Sequence, residues 1–424
     1  MDQTCDALPA ALRTGLEDGG HGHGPPPRGR ASSRPRLEVA DIVRAHGEAF
    51  QRAHALTPEQ HAVLRDIARC RTAELGGHAD VCTDCGHVDA SYNSCRNRHC
   101  PKCQSLAQAR WVEERMERML PTHGFHVVFT LPRELRPLAF AHRELVFSVL
   151  FACAAEALLE LGRDPRWLGA DLGVTSVLHT WRRDLLFHPH VHCIVTGGGL
   201  SLDGTRWVEA RPDFLFPVRV LGALFRGKML AALRRAHDRG KLRFTGAAAP
   251  LADRGRFRRL CDRLYRKRWV VYCKPPFGSP EHVYRYLGRY THRTGISNHR
   301  LVAFDQRGVT FRTRGDGRVT LAPDEFLRRF LLHVLPKGFV KIRHHGLFAP
   351  SHIATKLATA RALLTAASSA PAAAPTPPPR DFRELMLALT GLDLRPCRRC
   401  GSLAVLRCPL AVALAAPPTL AANP

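Results

Sequence analysis

Six of the 14 cysteines in this chain fall between Cys70 and Cys103, and they fall in close pairs. No other feature limits the fold as much, because so short a segment with so many thiols must organise around metal or around disulfides. The N-terminal residues carry acid and lack the apolar core of a secretory signal, so a reducing cytoplasm, beside a bacterial nucleoid, is expected and metal is favoured over disulfides. Cys82-x2-Cys85 followed by Cys100-x2-Cys103 has the spacing of a closed tetrahedral site, and four thiolates predict structural zinc (Zn2+). Cys70, His78, Cys95 and His99 are left over, in an order that would serve a second zinc. Cys397-x2-Cys400 supplies half of another site, with Cys408 as a further ligand candidate. The stretch NSCRNRH between the pairs is basic and polar, which suits Arg96 and Arg98 to phosphates and base edges.

Charge points to the partner. Lys and Arg number 63 against 37 acidic residues, a formal net charge of +26. A chain this basic attracts polyanions, and nucleic acid is the commonest of these. No segment has the length and apolarity of a bilayer span, so a membrane partner is not expected.

The 424 residues divide into several expected segments. Residues 1–36, rich in Gly, Pro, His and Arg, read as a disordered basic tail in which His21 and His23 are solvated. Residues 37–120 form a helical and zinc-binding DNA-recognition domain; Thr57-Pro58-Glu59-Gln60 marks a helix start, with Thr57 as cap. Residues 121–355 form the catalytic domain. Its expected strands are 125–131, 172–178, 185–195 and 269–273, with a hairpin over 300–304 and 309–313. The run Gly197-Gly198-Gly199 is expected to end the third of these. Its expected helices are 138–161, a basic helical insertion over 218–265, and 281–293. Residues 356–380 read as an Ala/Pro-rich linker and 381–424 as a tail with a short helix.

Two motifs carry chemistry. In LLFHPHVHCIVTGGG, strand periodicity turns His190 and His192 to one face, while Val191 and Cys193 turn to the other. Two neutral imidazoles on one face suit a divalent ion, with Mg2+ or Mn2+ completed by oxygen ligands or phosphate. His188 has the same parity, although Pro189 interrupts regular pairing. In YRYLGRYTHRTGISNHR, Tyr286 and Tyr290 share one face of a helix and Tyr284 does not. Arg285, Arg289 and Arg293 form a basic stripe beside them. A phenolate can attack a phosphodiester and hold the phosphate as an ester, provided the phosphate is polarised. Two further basic segments, 254–268 and 332–345, the latter with Lys341 and Arg343, are suited to tracking a single strand.

Together these motifs resemble the HUH-type, two-tyrosine rolling-circle transposases of the insertion-sequence 91 family. HPHVHC followed by YLGRYTHRTGISNHRL carries the resemblance, supported by NSCRNRHCPKCQ and RRFLLHVLPKGFVKIRHHGLFA, so that it runs from about Leu56 to Ala349. It implies an α+β fold, the HUH endonuclease fold: an antiparallel sheet with flanking helices, with the metal-binding His pair on a central strand, preceded by a small zinc-binding domain. It further implies metal ligation by His190 and His192 and nucleophilic Tyr286 and Tyr290. The resulting reaction would nick single-stranded DNA at element ends and join it to target DNA. The third metal ligand is left open among His188, His292 and Asn298. The rivals are a replication initiator or relaxase with the same chemistry, and a DNA-binding protein that does not cleave.

Overall fold

A computed structural model of the chain describes residues 35–116, 118–274, 295–367, 382–391 and 393–410. The tail with His21 and His23, the helix expected over 281–293 with its three tyrosines, Arg285, Arg289, His292 and Arg293, and most of the Ala/Pro linker lie outside the described residues.

In chain order the elements are α1 (Val39–Ala53), α2 (Pro58–Arg69), β1 (Gly77–Cys82), β2 (Val88–Tyr92) and α3 (Ser105–Met116). β3 (Gly124–Thr130), α4 (Arg136–Ala141), α5 (Arg143–Arg163), β4 (Ala170–Trp181), β5 (Phe187–Ser201) and β6 (Trp207–Glu209) follow. Then come α6 (Val218–Asp238), α7 (Arg254–Arg266), β7 (Val271–Lys274), β8 (Leu301–Asp305), β9 (Gly308–Arg312) and β10 (Arg318–Leu321). The last are α8 (Pro323–Leu331), β11 (Ile342–Gly346), α9 (Ala358–Ala367), α10 (Phe382–Thr390) and β12 (Val405–Leu410). The class is α+β, as expected.

The chain divides into two units, and neither is continuous in sequence. The first comprises 1–106, 297–327 and 376–424; the second comprises 107–296 and 328–375. This departs from the expected boundaries at 37–120, 121–355 and 381–424, and the reason is burial. α1 and α2 present Val39, Ile42, Val43, Phe50, Val63, Leu64 and Ile67 on their inner faces, and so short a segment has too little chain of its own to cover them. The 297–327 segment joins them: Asn298 Oδ1 accepts from Val39 N at 3.1 Å, and His46 meets Phe304 edge-on. The tail joins by pairing, since β12 adds to β1 in the sheet β12-β1-β2. The start of α2 follows the expected chemistry. Thr57 and Gln60 exchange side-chain-to-backbone bonds at 2.9 and 3.3 Å, and Pro58 opens the helix.

The second unit is built on an antiparallel sheet in the order β11-β4-β5-β3-β7, with β6 on the far end of β5. One face is the core. Phe125, Val127, Phe129, Val174, Leu178, Val191, Cys193 and Val195 pack there against α5 and α6, with Phe129 and Phe225 rings 4.8 Å apart. α5 is long and apolar enough to cross a membrane, but Val146, Phe147, Leu150, Phe151, Ala154, Ala157, Leu158 and Leu161 are buried in this core.

β5 does not end at the glycine run. It continues to Ser201, because those glycines sit where three neighbours press in. A Cβ at Gly197 would meet the His123 ring at 2.5 Å, at Gly198 the Val208 carbonyl at 2.4 Å, and at Gly199 the Asp171 carbonyl at 2.6 Å. Glycine here permits close approach rather than breaking the strand. The helix expected over 138–161 is also interrupted, at His142, whose ring engages the backbone of Arg243.

Candidate metal centre and thiolate clusters

Cross-strand partners in an antiparallel ladder point to the same face. β4 and β5 pair Val177 with His192 and His179 with His190, and β3 places Val128 opposite His192 and His126 opposite Ile194. The face opposite the core therefore carries His126, His179, His190 and His192. Further along the same face, Val177 and Ile194 are covered by Trp111 of α3.

One ring nitrogen from each of His179, His190 and His192 lies within 4.8 Å of the others. Their orientation is fixed from behind. His190 Nδ1 donates to the His188 carbonyl at 2.7 Å, and His192 Nδ1 is 2.8 Å from His126 Nε2. Such contacts leave the Nε2 lone pairs of His190 and His192 for a cation. Burial pushes the His190 imidazole down to about 4 and holds His192 well below its ordinary value, the latter helped by His179 and its neighbours. Both are neutral at neutral pH, as a metal ligand must be. The donor set fits a divalent ion that keeps open positions for oxygen ligands.

His179, which the sequence did not single out, groups with His190 and His192. Of the described candidates for a third ligand, His188 receives a hydrogen bond from Arg136 at 2.8 Å, and Asn298 Oδ1 accepts from Val39 N at the start of α1. His292 lies outside the described residues.

The β4–β5 hairpin that registers these rings turns at Leu185, which is fully buried with φ +63°. A branched side chain is disfavoured in that left-handed region and is held only by its surroundings. Here the Leu185 carbonyl accepts from His333 Nε2 at 2.9 Å and the Asp184 carbonyl from Arg329 Nη1 at 3.1 Å. A register shift between His179 and Trp181 absorbs Pro189 without ending the strand.

The thiols group differently from the expected Cys82, Cys85, Cys100 and Cys103 site. Cys100 and Cys103 converge with Cys70 and Cys95; Cys82 and Cys85 converge with Cys397 and Cys400. The geometry of the first unit explains the exchange. Cys82 and Cys85 flank the turn after β1, whereas Cys100 and Cys103 lie in a loop tied by Asn97 to Asp66 of α2 at 2.9 Å, beside Cys70 at the end of that helix. The leftover set is corrected in part. Cys70 and Cys95 join a cluster, while His78 sits in the β1 ladder opposite Ser91 and His99 bonds to Asn97. Cys95 and Cys103 sulfurs are 3.7 Å apart. A zinc ion ~2.3 Å from four thiolates spaces them about 3.8 Å apart, far beyond a disulfide. Cys408 is buried in β12 opposite Ala79, outside both clusters.

The basic residues separate. Arg96 is exposed, with φ +53°, beside the first thiolate cluster, and Arg98 is half-buried. Arg343 is half-buried: its guanidinium lies 4.6 Å from the Phe151 ring centre and donates to Ser148 Oγ at 3.0 Å. The Lys341 carbonyl pairs with Leu178 N at 2.9 Å. α7 buries Phe257, Leu260, Cys261 and Leu264 and exposes Arg254, Arg256, Arg258, Arg259, Arg263 and Arg266.

The strongly basic chain thus carries an antiparallel sheet with a histidine face and a unit with two thiolate clusters. Comparison with known proteins gives its class. A family model described as "Putative transposase" matches residues 173–356, and one described as "Transposase zinc-binding domain" matches residues 42–131. The chain is 48% identical over 370 residues to "Putative transposase y4qJ" of Sinorhizobium fredii, covering 86% of this chain and 92% of that one. It is 28% identical over 366 residues to the transposase for insertion sequence element IS801 of Pseudomonas savastanoi pv. phaseolicola, covering 81% of this chain and 82% of that one. No solved structure matches. The chain belongs to this transposase family, the insertion-sequence 91 type with an N-terminal zinc-binding domain.

Proposed function

We propose that this transposase nicks single-stranded DNA at the ends of an insertion sequence and transfers the strand to target DNA through a 5′-phosphotyrosine. The observation that carries the reading is the convergence of His179, His190 and His192 on the face of the sheet opposite the core, with His190 and His192 neutral and oriented from behind. A Mg2+ or Mn2+ ion bound there would polarise the scissile phosphate and stabilise its developing charge. Tyr286 or Tyr290 attacks phosphorus; the bond from phosphorus to the 3′ oxygen breaks, and that oxygen leaves as a hydroxyl after taking up a proton. The ester retains the bond energy, so attack by a 3′-hydroxyl of the target reverses the step without ATP. The second tyrosine accepts a second strand.

The supporting parts follow from charge and packing. Zinc on Cys70, Cys95, Cys100 and Cys103 would hold the loop that carries Arg96 and Arg98 for recognition of element ends. Arg289, Arg293, Lys341 and the exposed face of α7 would track the single strand.

The test is incubation of the full chain with labelled single-stranded element-end DNA and Mg2+ or Mn2+, followed by denaturing electrophoresis. A covalent protein–DNA adduct is expected, lost when Tyr286→Phe and Tyr290→Phe are combined and when His190→Ala and His192→Ala are combined. No adduct from the wild-type chain sinks the enzyme reading and leaves a DNA-binding protein; an adduct that survives both tyrosine changes sinks the choice of nucleophile.

A further inference from the structure

We infer that Cys82, Cys85, Cys397 and Cys400 form a second structural zinc site, a ribbon whose two halves come from distant parts of the chain and which fastens the C-terminal segment to the N-terminal domain. The matched zinc-binding segment, residues 42–131, contains only half of these ligands.

The two halves have the same local geometry. Each is Cys-x2-Cys-Gly. Gly86 N donates to the Cys82 carbonyl at 3.0 Å, and Gly401 N donates to the Cys397 carbonyl at 2.9 Å. Cys82 N donates to the His87 carbonyl at 2.9 Å, and Cys397 N to the Ser402 carbonyl at 2.8 Å. Both glycines take left-handed φ, +70° and +79°, which lets the chain curl back under the sulfurs. Two turns of the same form, in segments more than three hundred residues apart, present their thiols to each other. Cys82 and Cys400 sulfurs are 3.6 Å apart and Cys85 and Cys397 sulfurs 3.7 Å apart. These are edges of the tetrahedron that zinc imposes on four thiolates, about 3.8 Å. Arg399 N also points at Cys397 Sγ, at 3.4 Å, the kind of N–H contact that steadies a bound thiolate.

The surrounding pairing explains how the halves find each other. β12 runs antiparallel to β1 from Gly77 opposite Leu410 to Cys82 opposite Val405. Arg407 forks onto Asp80 at 2.7 and 2.8 Å, and Ser402 Oγ donates to Asp84 Oδ2 at 2.6 Å. Yet the sheet β12-β1-β2 is short, and among the described residues of its strands only Ala79, Val81 and Cys408 are buried apart from the ligand Cys82. A patch this small does not hold a strand by apolar burial alone and calls for a staple. Zinc on the four thiolates supplies one.

The test uses the wild-type full chain loaded with zinc. Native alkylation with iodoacetamide is mapped by mass spectrometry before and after stripping with a strong chelator. Cys400 is solvent-exposed, so a free thiol there would react at once. The expected result is protection of Cys82, Cys85, Cys397 and Cys400 in the zinc form and their joint alkylation after stripping. Alkylation of Cys397 and Cys400 while Cys82 and Cys85 stay protected overturns the proposal. Bound zinc measured by atomic emission gives an independent reading. Cys397→Ser combined with Cys400→Ser is expected to lose one zinc per chain, and Cys408→Ser none; an unchanged zinc content in the double variant overturns the proposal as well.

Discussion

His126 and His192 stack nearly parallel across the β3–β5 ladder, ring planes 8° apart, with His126 Nε2 2.8 Å from His192 Nδ1. His126 thereby sets the rotation of a proposed metal ligand without being one. His126→Ala is expected to weaken Mn2+ binding by roughly 10–100-fold, the usual penalty for losing such a support. His126→Asn, which keeps a polar group at the position, should recover part of the loss. Isothermal titration of both variants reads the effect, alongside a melting curve. Wild-type Mn2+ affinity in His126→Ala would remove the positioning role.

Gly198 tests the reading of the glycine run as a close-packed strand. A Cβ there would meet the Val208 carbonyl at 2.4 Å and the Trp207 indole at 2.7 Å. Both come from β6, which pairs Gly198 with Glu209 and Gly199 with Val208. Gly198→Ala is expected to cost about 1–3 kcal/mol, the range for overpacking, as β6 is pushed off its partner. A melting temperature equal to wild type would mean that β6 is not packed in this way.

The cost of reading that run as a terminator shows what pattern alone conveys. Three glycines in sequence signal a break, and only the neighbours His123, Trp207 and Asp171 turn them into a requirement for space. His179 was within reach of the sequence. Once strands on either side of Arg182-Arg183-Asp184 are taken as a hairpin, antiparallel register places His179 beside His190. Strand parity within β5 was legible and gave His190 and His192 together. The thiol grouping was not legible, because spacing ranks near neighbours and the actual partners of Cys82 and Cys85 lie at Cys397 and Cys400. Likewise, nothing local in the segment 297–327 says that it packs with α1, since that follows from the apolar faces of helices far upstream.

His333 should leave a mark on stability against pH. It is 1% exposed, and burial pushes its imidazole down to about 3, with Arg143 adding to the effect and the Leu185 carbonyl opposing it. Its folded pKa lies below the ordinary 6.5, so protonation favours the unfolded chain. Stability from this residue is complete above about pH 6.5 and falls as pH drops toward 3; at pH 5 the loss is about 2 kcal/mol. His333→Gln cannot take up the proton but can still donate to the Leu185 carbonyl. The difference in unfolding free energy between pH 7.5 and pH 5 should therefore shrink by about that amount in urea titrations. Parallel pH curves for the two proteins would show that His333 carries no such penalty.

The exposed face of α7 separates DNA tracking from folding. Arg258, Arg263 and Arg266 point to solvent while Phe257, Leu260 and Leu264 fill the core beneath. Each arginine that neutralises a phosphate releases counterions, about 0.7 per phosphate on a single strand. Replacing all three by alanine should lower the slope of log affinity against log salt by about 2 for a labelled single-stranded oligonucleotide in fluorescence anisotropy. The melting temperature should hardly change, because the apolar side of the helix is untouched. If affinity at low salt and the salt slope both match the wild type, α7 is a solvated surface and the single strand runs elsewhere.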